Sequence, residues 1–552
     1  MKVMFEALEN FKEIRERDYY VDKSMLIEDV LKSKVTLYAR PRRFGKTLNM
    51  SMLYYFFSID EKENNYLFNG LKVCSNKEIM KHLNQYPVIT ITLKDLRFNN
   101  MDDQVEFYAS IISDIVSDHV YLYECKDLRE KDLKLLKQYE DMESSTPHLI
   151  KALYNLTKWF YLYYHKKTII IIDEYDVPIN YSRNKYYEEM CSFISGIFST
   201  AFKTNQYLER GIITGCLRIA KESIFTGLNN PKVNTLLDYE ASDCFGFTQE
   251  ELEVFLRYYH LEDKKEIIKD WYDGYLFGNT KIYNPWSVLY YCDQLQYNPS
   301  LEPDSYWLNT SGNDIIYNYL YKGNDSLKDD FMTLISGRSI TKKIKPQLTF
   351  NDLDINDYNN EDIYSYLLFS GYLKVESPIF DSNHKKIRNT YNLIIPNKEI
   401  LTIYVEVFSQ WFEKEYPHSL FIEALLKGDV SKAQEILEYT LLSSFSFYYS
   451  VEEVYEAFLL GYLSDRGYKV DSEKESGFGR YDLFVYNVRA HPALIIECKH
   501  SESIDSLEKD AKEGLRQIRE RKYIEGKESE GYSKILGYSI AFHRKRCLIL
   551  KL

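Results

Sequence analysis

No apolar run in the 552-residue sequence approaches the ~20 residues that a membrane-spanning helix needs. The first residues, MKVMFEALENF, carry acids where a secretory leader has an apolar core. The expectation is a cytoplasmic chain without a membrane partner. The eight cysteines, at 74, 125, 191, 216, 244, 292, 498 and 547, form no CxxC pair, and no histidine cluster accompanies them. That pattern argues against a structural zinc site and for reduced thiols. A basic excess is missing too: 70 Lys and Arg stand against 83 Asp and Glu, for a net charge of −13. A broad electrostatic surface for nucleic acid is therefore not expected, although local basic patches remain open. Internal repeats and low-complexity linkers are absent. What is abundant is tyrosine, 51 residues, which fits core packing and an A/T-biased genome better than a base-stacking platform. At this length one core does not suffice, and three or four domains are expected.

The stretch Lys34 to Met50, KVTLYARPRRFGKTLNM, organises the N-terminal half. An apolar β-type run, Val35 to Ala39, leads into an Arg/Pro-rich loop, and Gly45-Lys46-Thr47 opens an amphipathic helical pattern. In a strand, loop and helix of this kind, backbone N–H groups and the helix N-terminus cradle phosphates. The lysine then reaches the β- and γ-phosphates and the hydroxyl holds Mg²⁺. Residues Arg40, Pro41, Arg42, Arg43, Phe44, Gly45, Lys46, Thr47 and Leu48 are accordingly the expected ATP-binding loop. The pattern GxxxxGK[ST] departs at its first position, where Arg40 replaces glycine. A chance GKT in a turn is the bland alternative.

Further along, Pro87 to Leu96 alternates as a strand, Gln104 to Leu122 reads as a long helix, and Cys125 to Ser145 as an exposed helical excursion. Asp22 and Lys23 read as a cap and a solvated charge. Thr168 to Glu174, TIIIIDE, is the most buried-looking strand and ends in two acids. Asp173 is the expected Mg²⁺ partner and Glu174 the group that polarises the attacking water, because γ-phosphate hydrolysis needs both tasks done. Thr214, at the end of the strand GIITG, is a candidate polar contact to the γ-phosphate, and Arg218 is either a phosphate contact or a surface charge. Strands separated by helices repeat the β-α-β rhythm of a doubly wound, mostly parallel sheet, whose ligands sit at the carboxyl ends of the strands. From Phe245 the pattern is mostly helical, with a capping pair Thr248 and Glu251, then WYDGYLFGNTKIYNPWSVLYYC, read as a packed aromatic corner. The expected division is 1–244, 245–430 and 431–552.

The last 120 residues read as α-β-β-β-α. Asp482 begins one strand and Glu497 and Lys499 lie two apart on the next, so strand alternation puts the latter pair on one face. Glu497 follows Asp482 by 15 residues (497 − 482). Asp482, Glu497 and the Cys498 carbonyl are hard oxygen ligands of the kind Mg²⁺ prefers, and Lys499 would orient a water against a phosphodiester. A surface salt bridge on an edge strand is the bland alternative. Glu456 is a weaker additional ligand, and Gln517 and Tyr523 flank the site on the following helix or merely pack there.

The motifs YYVDKSMLIEDVL, RPRRFGKTLNMSML, IIIIDEYDVPI, GIITGCLRIAKESIFTGLNN, FGFTQEEL, WYDGYLFG with IYNPWSV, and ESGFGRYDLFVY with ALIIECKH resemble those of bacterial AAA-ATPase-like proteins that carry a C-terminal PD-(D/E)XK nuclease domain. The resemblance spans nearly the whole chain. It implies a P-loop ATPase domain using ATP and Mg²⁺, a helical extension and a nuclease-like tail acting on nucleic acid; arginine in place of the first loop glycine is a trait of that family. Tyr481 stands where the family has proline. Two functions remain open: an ATP-regulated nuclease, or a nucleotide switch whose tail binds or scaffolds. A homo-oligomer is also open, since many P-loop ATPases borrow an arginine from a neighbouring subunit, and no arginine stands out for that task.

Overall fold

The computed structural model describes residues 9–183, 185–217, 231–307, 325–346, 348, 360–381, 384–404, 418–444, 452–463, 468–472, 475–476, 479–487, 492–532 and 534–552. Arg218 lies outside them. The chain divides into two compact units, 1–307 with 341–398, and 308–340 with 399–552.

The first unit is built on a five-stranded parallel sheet. Its strands are β1 (Val35–Ala39), β2 (Val88–Thr92), β3 (Thr168–Asp173), β4 (Leu208–Gly215) and β5 (Lys232–Asn234), ordered β2-β3-β4-β1-β5. The four isoleucines of β3 are fully buried, as expected of a parallel strand covered on both faces. Because β4 lies between β1 and β3, the ends of the loop strand, the Thr214 strand and the acid strand stand side by side. The helix Lys46–Phe57 starts at Gly45, whose φ of 77° is left-handed and suits a residue without Cβ. Met50, Met52, Leu53, Phe56 and Phe57 bury the rest of that helix.

Several boundaries move from the sequence expectation. The long helix is Met101–Asp118, started by the Asn100 side chain accepting from the Asp103 N–H at 2.9 Å, and a 3-10 turn Val120–Glu124 follows. The excursion carries the helix Glu130–Glu140, and it is not simply exposed: Leu136 and Tyr139 are buried, the tyrosine against Trp159. Lys23 is not a solvated charge. It is 8% exposed, donates to the Asp243 carbonyl at 2.7 Å and pairs with Glu251. Glu251 also completes the capping box with Thr248 at the start of the helix Gln249–Tyr259, so one carboxylate starts a helix and neutralises a buried lysine. Asp22 does not cap the helix Leu26–Leu31, whose N-cap position is Met25; it accepts instead from the Ser24 N–H in the preceding turn and from the Lys72 N–H.

The aromatic segment forms a hairpin, β6 (Tyr275–Phe277) and β7 (Thr280–Ile282), followed by the helix Pro285–Tyr297. A three-stranded sheet of β8 (Ile340–Lys343), β9 (Lys374–Phe380) and β10 (Lys386–Ile394), ordered β8-β10-β9, lies in what reads from sequence as helical and short-strand material.

In the second unit, β11 (Lys469–Ser472) is followed by the small pair β12 (Glu475–Ser476) and β13 (Gly479–Arg480). Then come β14 (Leu483–Tyr486), β15 (Ala493–His500), β16 (Ile535–His543) and β17 (Arg546–Lys551). The main sheet is ordered β11-β14-β15-β16-β17 and is antiparallel except for β15 and β16. The α-β-β-β-α reading thus gains two final strands. Strand alternation sends Glu497 and Ala541 toward the helix Leu507–Glu520, whose Gly514 packs against Glu497 and whose Ala511 packs against Ala541. Phe542 and His500 face the other way and stack on Tyr455 of the helix Glu452–Leu463.

Candidate nucleotide and nuclease sites

The loop residues of the first unit sort themselves by what holds them. Arg40 is fully buried: its guanidinium donates to the Ala39 carbonyl at 3.0 Å, to the Asn234 carbonyl at 3.0 Å, to Asn234 Oδ1 at 2.6 Å and to the Ala241 carbonyl at 3.3 Å. It also lies between the rings of Phe245 and Phe277. This side chain fastens the end of β1 to the turn after β5, leaving only its backbone to line the loop. Phe44 is buried against Tyr275 and Phe277, with ring centroids 4.9 and 5.2 Å away. Arg43 has a left-handed φ of 70°, uncommon for a residue with a side chain, and its guanidinium sits 3.7 Å above the Trp286 ring. The aromatic corner is therefore the clamp on the phosphate loop, a role that its spacing alone does not reveal.

Lys46, Thr47 and Arg42 point elsewhere. Lys46 is buried and its Nζ donates to the Arg40 and Pro41 carbonyls at 3.1 and 2.8 Å, with Cys216 Sγ at 3.7 Å. The Thr47 hydroxyl donates to Asp173 Oδ2 at 2.7 Å. Asp173 Oδ1 accepts from the Thr214 hydroxyl and from the Glu174 N–H. Loop, acid strand and intervening strand thus meet at one carboxylate. Pro41 and Leu48 are backbone-lining neighbours of this group, Pro41 buried and Leu48 half-buried at the start of the helix.

Glu174 adopts a left-handed φ of 54°, the kind of local strain that gathers at functional turns. Burial raises its pKa above the ordinary glutamate value; Lys46 and Arg42 oppose the rise, and Asp173 and Asp176 add to it.

Two residues of the same turn escape a motif search. Tyr175 is buried and donates to the Leu217 carbonyl at 2.7 Å. Asp176 is buried and its Oδ2 accepts from the N–H groups of Cys216 and Leu217 at 2.8 and 3.2 Å. Burial pushes the Asp176 pKa up against those bonds. The turn DEYD therefore bolts the acid strand to the loop after β4. Gly215 is required there, because a Cβ would lie 2.6 Å from the Tyr175 ring.

In the second unit the antiparallel register Leu483↔Ile496 sets Asp482 opposite Glu497. Asp482 Oδ2 accepts from the Cys498 N–H at 2.7 Å, and Lys499 Nζ lies 3.3 Å from Glu497 Oε1. Glu497 is fully buried. Close approach of the overlying helix explains this: a Cβ on Gly514 would stand 2.2 Å from Ser539 Oγ and 3.4 Å from Glu497 Cγ. Tyr523 donates to the Arg480 carbonyl and Gln517 donates to the Tyr523 hydroxyl at 3.3 Å. This pair steadies the segment that leads into Asp482. Among the described residues no group of three or more His, Cys, Asp or Glu side chains gathers as a metal site. Asp482 and Glu497 stand opposite each other on adjacent strands with Lys499 beside Glu497, and two carboxylates are what this arrangement would offer a metal. That is sparse protein ligation of the kind Mg²⁺ accepts when it keeps several waters.

No described helix is long and apolar enough to cross a membrane. Among curated proteins, the chain is 25% identical over 310 residues to a protein of Azotobacter chroococcum mcd 1 described as "Uncharacterized protein in vnfD 5'region"; the match covers 55% of this chain and 53% of that relative. The chain therefore spans about half the length of the curated relative it matches. Residues 6–225 match the family model described as "Predicted AAA-ATPase", and residues 450–552 match that of the PD-(D/E)XK nuclease superfamily. The Lys46, Thr47 and Asp173 group falls in the first span and the Asp482, Glu497 and Lys499 group in the second, so the chain joins an AAA-ATPase-like domain to a PD-(D/E)XK nuclease-superfamily domain.

Proposed function

We propose that the chain binds and hydrolyses ATP in its N-terminal unit and uses that cycle to govern Mg²⁺-dependent cleavage of nucleic acid by its C-terminal domain. The observation that carries the ATPase reading is the convergence of Thr47 and Thr214 on Asp173, one residue before the strained Glu174. The backbone after Gly45 and the Lys46 ammonium suit a triphosphate, and Thr47 with Asp173 suits Mg²⁺. Bound Mg²⁺ would draw charge off the phosphate oxygens. Glu174 orients the attacking water and takes its proton. The water oxygen bonds to the γ-phosphorus while the bond to the β–γ bridging oxygen breaks, its electron pair leaving on ADP. Lys46 neutralises the charge that grows on the phosphates.

In the tail, Asp482 and Glu497 would hold Mg²⁺ together with the Cys498 carbonyl, and Lys499 positions the water that attacks a phosphodiester. Incubation of the full chain with DNA and RNA, with and without Mg²⁺ and ATP, tests the whole reading. Wild type is expected to cleave one substrate class in a manner that depends on ATP. Lys46→Ala loses that dependence and Asp482→Ala loses cleavage. Equal survival of every substrate with wild type and Asp482→Ala overturns the nuclease and leaves a nucleotide switch.

A further inference from the structure

Three arginines enter the phosphate loop, and two are spent on holding it. Arg40 is buried on Asn234 and Ala241, and Arg43 lies on Trp286. Arg42 has a different set of neighbours. Its guanidinium lies against the Cys216 thiol, with Asp176 and the Tyr366 ring as charged and polar neighbours. Lys46 Nζ reaches the same sulfur at 3.7 Å. The backbone of that residue is pinned by Asp176 at 2.8 Å. The two cations of the loop thus converge on one point, next to the turn that bears Glu174, which feels both of them. A terminal phosphate reached by Lys46 comes within the domain of Arg42 as well.

We propose that Arg42 is an intrinsic phosphate arginine: alongside Lys46 it binds the terminal phosphate of the nucleoside triphosphate, so that hydrolysis is completed within one chain and needs no arginine from a neighbouring copy. This rests on the ATPase reading above. Arg42 supplies a planar, permanently charged fork to equatorial phosphate oxygens. Asp176 is its positioning residue, because it accepts from the Cys216 N–H and so fixes the residue whose thiol the guanidinium lies against. Lys46 serves ground-state and transition-state phosphates alike. Arg42 acts on the γ-phosphate and is silent toward ADP.

The test is calorimetric titration of the full chain with ADP, and with ADP plus aluminium fluoride as the transition-state mimic, read together with turnover per chain as protein concentration rises. For Arg42→Ala the expected result is an ADP affinity within about threefold of wild type, affinity for the fluoride complex down on the order of a hundredfold, and turnover down about a thousandfold. Arg42→Lys should recover part of both losses, since it keeps charge without the fork. Wild-type turnover per chain should stay constant across dilution. The proposal is overturned if Arg42→Ala binds the fluoride complex as wild type does. It is also overturned if the variant loses ADP and the fluoride complex equally, which marks a structural arginine, or if wild-type turnover per chain climbs with concentration. Failure of wild type to bind ADP or ATP at all, with Lys46→Ala indistinguishable from it, overturns the ATPase reading and this inference with it.

Discussion

Thr47 and Asp173, 126 residues apart in sequence, share a hydrogen bond of 2.7 Å between hydroxyl and carboxylate. The bond ties the first turn of the loop helix to the end of the acid strand, across a sheet in which β4 separates their parent strands. A hydroxyl held on a carboxylate is aimed before any ion arrives.

Thr47→Ala removes that hydroxyl and Thr47→Ser keeps it. A hydrogen bond to a charged group is worth about 1.5–3 kcal/mol, so the alanine variant should need more than tenfold higher Mg²⁺ for half-maximal ATP hydrolysis. The serine variant should stay near wild type. Mg²⁺ titrations of hydrolysis rate check it, and identical midpoints for all three proteins would refute the shared role.

Glu174 must be ionised to take a proton, and burial raises its pKa. The acid limb of hydrolysis should therefore fall at a higher pH than an ordinary glutamate gives, and Glu174→Gln should lose turnover at every pH while retaining ATP. Stability follows the opposite sign. A carboxyl whose folded pKa exceeds its unfolded one is a cost above the folded pKa, and that cost fades as pH falls toward the unfolded value. Glu174→Gln should be at least as stable as wild type in urea at neutral pH, with the gap closing in acid.

Trp286→Ala takes away the face on which Arg43 rests. A cation–π contact contributes about 0.5–2 kcal/mol, and here it holds a left-handed residue inside the phosphate loop. We expect ATP affinity to fall several-fold with little change in turnover at saturation, and Trp286→Phe to recover part of it. Titration calorimetry and saturation kinetics separate these outcomes; a loss confined to turnover would count against the clamp.

Lys23→Met should destabilise the N-terminal unit by about 3 kcal/mol, since it leaves the largely buried Glu251 with only the outlying, exposed Lys72 as a cation, 3.9 Å away. The double variant Lys23→Met/Glu251→Gln should regain part of that loss, because the uncompensated charge is gone. Urea unfolding of the three proteins reads the difference, and additive losses would show the pair to be uncoupled.

Gly514→Ala drives a methyl group into Ser539. Overpacking of this kind costs about 1–3 kcal/mol, and here it lifts the helix from the strand bearing Glu497. Nuclease activity should drop, and Ser539→Gly in the same chain should restore it. Cleavage assays on the single and double variants decide it, with no recovery in the double variant arguing against close packing as the cause.

Four strands of the parallel sheet were legible in sequence because each carries its own local signal, whereas the three-residue edge strand β5 was too short to show one. Four consecutive isoleucines need no partner to declare a strand buried on both faces. Gly45-Lys46-Thr47 and Asp173-Glu174 stood out for a similar reason, since each is a contiguous pattern, and the fold brings the two together at Thr47 and Asp173. What local pattern hides is a partner far along the chain. Lys23 looks like any exposed lysine until Glu251 comes to meet it from 228 positions away. Trp286 reads as generic core because the cation it supports enters from the other end of the domain. Asp176 is lost among the acids of its own turn, and only the amides of Cys216 and Leu217 reveal what it holds. The last two strands, β16 and β17, complete a sheet whose first strands already accounted for the motif acids.

Arg40, Phe44 and Arg43 fasten the phosphate loop at three points to side chains outside it. A loop rich in glycine wraps its ligand by giving up many conformations at the moment of binding. This one has surrendered them during folding, so ordering entropy is charged to the fold and not to the nucleotide. The loop behaves as a cast mould: a nucleotide bound there would gain affinity from its stiffness, and its shape depends on aromatic residues more than 230 positions downstream (275 − 44 = 231).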